Sequence, residues 1–92
     1  MGRILYRNKD YLDFVRAKPC IVHYGCGLIT EAHHWRTKGS QMNDFYAVPL
    51  CAEHHREFHS IGKNTFLKKY FMEESYVYDC MIQVISEYVK HK

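Results

Sequence analysis

No stretch of this 92-residue chain is apolar over the roughly 18 residues that a membrane-crossing helix requires. Proline and glycine are scarce, at two and five residues, which excludes collagen-like and low-complexity chains. Apolar residues make up 47% and charged residues 25%, a balance that excludes intrinsic disorder. The first ten residues, Met1 to Asp10, carry no apolar run of signal-peptide length, so the expectation is a soluble, intracellular chain. Charge of one sign is not in great excess: the formal net charge is +3. It is uneven, however. Residues 1–71 hold 11 Lys/Arg against 6 Asp/Glu, while residues 72–92 hold 2 against 4. A basic body with a mildly acidic tail permits an anionic partner such as nucleic acid.

Against these shortages stand seven His and four Cys. A single domain spanning 1–92 buries only about 60–65% of the surface its unfolded chain exposes, so its core is marginal and a staple is expected. In a reducing compartment that staple is a metal ion rather than a disulfide.

The chain reads as one α+β domain. Residues 9–17 place Tyr11, Phe14 and Val15 on one helical face, with Asn8 as the cap and Pro19 as the stop. Residues 20–27 form an irregular knuckle with two cysteines, His23 and two glycines. Leu28–Trp35 and Phe45–Leu50 read as two strands of a hairpin joined by a long polar loop over Arg36–Asp44. Cys51–Ser60 reads as a helix closed by Gly62. Asn64 is the expected cap of a short helix running to Phe71, and Ser75 that of a last helix. There Tyr76/Val77, Cys80/Met81, Val84/Ile85 and Tyr88 recur every four residues, an apolar stripe suited to the core or to a second copy of the chain.

The segment from Cys51 to His59 is the most informative. Positions three or four apart share a helix face, so Cys51 pairs with His54 and His55 with His59. His54 and His55 are neighbours and point about 100° apart. One helix can therefore serve two places. Cys20 and Cys26 with Cys51 and His54 would close a tetrahedral Cys3His site suited to structural Zn²⁺; His23 is a rival ligand. The second pair needs the His33-His34 doublet. Adjacent strand residues point to opposite faces, so one can bind an ion while the other stands beside the reacting centre.

The order Cys20…Cys26…Ala32-His33-His34…Val48-Pro49-Leu50-Cys51-Ala52-Glu53-His54-His55…His59 resembles an HNH endonuclease of the ββα-metal (His-Me finger) class. It is most similar to short phage and prophage forms with a zinc knuckle, including the recombination-enhancement nucleases. The resemblance covers roughly residues 20–62. It implies an HNH core at about 26–62, with C-terminal helices at about 64–90. It implies His34 as general base, His33, His55 and His59 as ligands of a catalytic divalent ion, and Cys20, Cys26, Cys51 and His54 as structural zinc ligands. The family's middle Asn is missing: Tyr46 occupies that region, with Asn43 and Asp44 just before it. Asp44 could brace His34 in its place.

The resemblance implies a metal-dependent DNA endonuclease with weak sequence specificity, phage or prophage encoded and acting in the cytoplasm of a bacterial host cell, and the residues agree with a phosphodiesterase. Nitrogen ligands favour Mn²⁺, Ni²⁺, Co²⁺ or Zn²⁺ over Mg²⁺; an ion held by two His and Asp44 would suit Mg²⁺ better. Arg36, Lys38 and Arg56 are candidate phosphate contacts, and Trp35 or Tyr46 could stack on a base, with core packing as the other reading of Trp35. The substrate could be duplex, branched or single-stranded DNA, and the last helix could form a homodimer. The alternative is a non-catalytic zinc-binding nucleic-acid or recombination accessory module, which would leave the remaining histidines idle.

Overall fold

The computed structural model describes residues 4–35 and 42–91. In chain order these form strand β1 (Ile4–Tyr6), helix α1 (Lys9–Arg16), strands β2 (Thr30–His34) and β3 (Met42–Asn43), and a 3₁₀ turn (Asp44–Tyr46). Strand β4 (Ala47–Cys51) and helices α2 (Ala52–Ile61), α3 (Lys63–Lys69) and α4 (Glu74–His91) complete them. This is a small α+β protein with an antiparallel two-stranded hairpin, and four helices among the described residues.

The hairpin of β2 and β4 organises the rest. Its register pairs Glu31 with Leu50, Ala32 with Pro49, His33 with Val48 and His34 with Ala47. Directly paired residues share a face, so the hairpin separates two clusters. On one side Val48 and Leu50 join Trp35, Phe66, Val77 and Met81, with Phe58 of α2 packed against them. On the other Ala47 joins Tyr11 and Val15 of α1 and Val84 and Tyr88 of α4, with Ala32 and Phe45 alongside. Every residue of β4 is buried, so the strand is covered on both faces. Pro49 has no N–H to give, and its carbonyl accepts instead from Ile21 N at 3.0 Å, tying the knuckle to the strand. Tyr76 Oη donates to Ile21 O at 2.6 Å and ties α4 to the same knuckle.

Local chemistry explains most element ends. Asn8 caps α1 as expected, its side chain accepting from Tyr11 N at 3.0 Å. Gly62 closes α2 with φ +88° and donates to Phe58 O, as expected. Several expected boundaries move. The second strand starts at Ala47 because Phe45 and Tyr46 belong to the 3₁₀ turn, and the short helix expected to reach Phe71 ends at Lys69. Cys51 belongs to β4 and is the N-cap of α2 rather than its first turn, because the hairpin ladder continues to Thr30↔Cys51. Asn64 lies inside α3, whose N-cap position is Gly62, and Ser75 lies inside α4, which already begins at Glu74. The apolar stripe of α4 is largely spent on the chain's own core, where Val77, Met81, Val84 and Tyr88 are buried. Cys80 is half-buried against the same core, as its position on that stripe suggested. A short parallel pairing of β1 with β3 was not expected from the sequence.

Candidate metal centres

Cys20, Cys26, Cys51 and His54 come together, their ligand atoms all within 4.8 Å of one another. The knuckle makes this possible: His23 (φ +70°) and Gly25 (φ +63°) both take the left-handed conformation, reversing the chain so that Cys26 returns towards Cys20. Glycine tolerates that conformation freely and His at some cost. His23 itself is exposed and outside the cluster, so it does not replace Cys26 or His54. His54 Nδ1 lies 3.5 Å from Cys20 Sγ, 3.2 Å from Cys51 Sγ and 3.8 Å from Cys26 Sγ. A tetrahedral ion with Zn–S near 2.3 Å and Zn–N near 2.0 Å sets nitrogen and sulfur about 3.6 Å apart, so the four donors fit. Cys51 Sγ also accepts from His54 N at 3.5 Å at the start of α2. Crowding is evident at Cys26. Its thiol is pushed up to about 12, by desolvation first and then by Cys20 and Cys51, a repulsion that a cation among the sulfurs reverses.

The second cluster lies on the α2 side of the hairpin. His33, buried on β2, meets His55 and His59 of α2, with their ligand nitrogens within 4.8 Å of one another. The His55 and His59 Nε2 atoms are 3.1 Å apart, near the roughly 3.3 Å separation of two nitrogens on one tetrahedral ion. His33 packs edge-on against Phe58, 4.4 Å between centroids. Its pKa falls to about 3, chiefly through burial and then through His55, His59 and His34, so the ring is neutral and its lone pair available. Asp44 is not part of this cluster, which removes the arrangement of two His and Asp44.

His34 points the other way, as strand alternation requires. Its Nε2–H donates to Asp44 Oδ1 at 2.8 Å. Asp44 is buried in the 3₁₀ turn, and its second oxygen accepts from Asn8 N at 2.7 Å. The bracing suggested for Asp44 is therefore present.

Residues 2–85 match the family model described as "Protein of unknown function (DUF968)". The chain belongs to this family. No curated protein and no solved structure matches it.

In this DUF968 chain the remaining candidates divide. Arg56 is exposed on α2, between His55 and Glu57. Arg36 and Lys38 lie outside the described residues. Trp35 does not offer a stacking face: it is 1% exposed, and its Nε1 donates to Glu74 Oε2 at 3.0 Å. Tyr46 remains exposed beside Asp44. One residue escaped the sequence reading. Glu31 Oε1 accepts from His55 Nδ1 at 2.6 Å. The available signal was spacing, since Glu31 stands two before His33 and so shares its strand face.

Proposed function

We propose that this chain is a metal-dependent DNA endonuclease of the ββα-metal (HNH) class, with a structural zinc in the Cys3His cluster. The observation that carries the reading is the division of the doublet. His33 joins His55 and His59 in a three-nitrogen cluster, while His34 leaves it and is held by Asp44. A non-catalytic zinc module needs only the first cluster and gives no role to the second. Two clusters on one hairpin and helix suit a staple and a reaction centre.

A divalent ion held by His33, His55 and His59 would supply positive charge to the scissile phosphate and the departing oxygen. His34 takes a proton from water. With Nε2–H engaged by Asp44, Nδ1 is the ring atom that accepts it. The water oxygen bonds to phosphorus, the P–O3′ bond breaks with its electron pair on O3′, and O3′ takes a proton from solvent. Arg56, exposed on the same helix as two ligands, suits a phosphate contact that positions DNA without reading bases. Nitrogen ligands suit Mn²⁺, Co²⁺, Ni²⁺ or Zn²⁺.

The test is metal-dependent nicking of supercoiled plasmid by zinc-loaded protein. Activity on adding Mn²⁺, lost in His59→Ala with zinc retained, supports the reading. Clean protein that cuts no DNA with any of these ions refutes it and favours the accessory module.

A further inference from the structure

Three imidazoles bring no negative charge to an ion, yet a carboxylate stands directly behind one of them. We propose that Glu31 is a positioning residue for the second cluster. Its carboxylate holds the Nδ1–H of His55 and so commits Nε2 of that ring to a divalent cation. The proposal rests on the reading of His33, His55 and His59 as an ion site.

The geometry is specific. The two nitrogens of an imidazole lie on opposite sides of the ring. For His55 one of them, Nδ1, is 2.6 Å from Glu31 Oε1, and the other, Nε2, is 3.1 Å from His59 Nε2. A carboxylate only accepts, so the proton sits on Nδ1 and the Nε2 lone pair faces the other histidines. The backbone supports this placement. Glu31 is paired with Leu50 and His33 with Val48, so both strand residues face α2, and α2 presents His55 to them. His33 and His55 rings lie 4.8 Å apart between centroids. Glu31 thus places negative charge behind one ligand while leaving the ion's remaining positions to water or phosphate. Carboxylate–histidine–metal triads of this kind fix tautomer and ring orientation and make the ligand nitrogen a stronger donor to the cation. Half exposed, at 46% for its side chain, Glu31 belongs to neither of the apolar cores on the two faces of the hairpin, so its replacement leaves their packing intact.

The experiment is calorimetric and optical titration of zinc-loaded protein with Co²⁺, using wild type, Glu31→Gln, Glu31→Ala and His55→Ala, with the ring tautomer of His55 read by ¹⁵N NMR before metal is added. The expected result is a second ion in wild type with the visible bands of a nitrogen-rich site. Glu31→Ala then binds Co²⁺ about 10–100-fold more weakly, the range for loss of such partners. It also loses the preference for a proton on Nδ1. Glu31→Gln, whose amide oxygen still accepts from Nδ1–H, recovers the tautomer and part of the affinity. His55→Ala loses the second ion. If Glu31→Ala binds Co²⁺ within threefold of wild type while His55→Ala does not bind it, the role of Glu31 is overturned and the ion site stands. If wild type takes up no second ion, or His55→Ala binds it unchanged, the ion site falls and the role of Glu31 falls with it.

Discussion

Asp44 and His34 are joined by a 2.8 Å hydrogen bond, and the same carboxylate is pinned from behind by the backbone N–H of Asn8 at 2.7 Å. The residue that caps α1 thus also fixes the partner of the proposed base. Asp44→Ala is expected to lower kcat for plasmid nicking by about 10–100-fold with little change in KM, because ring orientation rather than DNA binding is lost. Asp44→Asn, whose amide oxygen can still accept from Nε2–H, is expected to retain more activity. Equal rates for Asp44→Ala and wild type contradict the bracing role.

The Cys3His cluster is expected to hold one zinc per chain and to be coupled to folding. Cys51→Ser removes a ligand and disturbs the junction of β4 and α2, where Cys51 is fully buried. Zinc content should fall well below one per chain, and the melting temperature should drop by more than 10 °C. Several kcal/mol of a metal's contribution are lost, and a small domain shifts about 4–8 °C per kcal/mol. Unchanged zinc content by elemental analysis contradicts the assignment.

His33 is expected to stay neutral across the physiological range, since burial and three neighbouring histidines depress its pKa to about 3. In protein free of the second ion, its ring carbon NMR signal should not titrate between pH 8 and pH 5. The linked effect on stability has a definite sign. The unfolded chain binds a proton below about pH 6.5 that the folded state refuses, so stability falls as pH falls from about 6.5 towards 3, by up to about 1.4 kcal/mol per pH unit from this group. A titration midpoint near 6.5 in the folded protein contradicts the placement.

Tyr11 is fully buried between α1, α4 and the hairpin, and its Oη has no hydrogen-bond partner among the described residues. Burial pushes its phenol up to about 12. Tyr11→Phe removes an unpaired polar atom and keeps the edge contacts with Phe45 and Tyr88. Thermal denaturation should show equal or greater stability, by up to about 1–2 kcal/mol. A loss of more than about 1 kcal/mol would mean that Oη has a partner in solution.

Much of this arrangement was legible in local spacing. The two rows of potential ligands on α2 follow from helical periodicity, and the parting of His33 from His34 follows from strand alternation. The cap at Asn8 and the stop at Gly62 depend on single residues and their immediate neighbours. What escaped depends on pairing across the chain. Cys51 reads as helical by its spacing to His54, yet the ladder partner Thr30 holds it in strand. The β1–β3 pair is too short for any periodicity to show. Trp35 reads from sequence either as core or as a stacking surface, and the packing of Phe58 with the bond to Glu74 decides for core. Glu31 carried a usable signal in its alternation with His33, but its partner lies 24 residues away.

The most direct test of the central claim compares the initial rate of plasmid nicking by wild type and His34→Ala, both zinc-loaded and at saturating Mn²⁺. Loss of a general base is expected to slow the reaction by a factor of about 10²–10⁴ while zinc content and Mn²⁺ affinity stay unchanged. Equal rates in the two proteins, or cleavage by neither, would contradict the account.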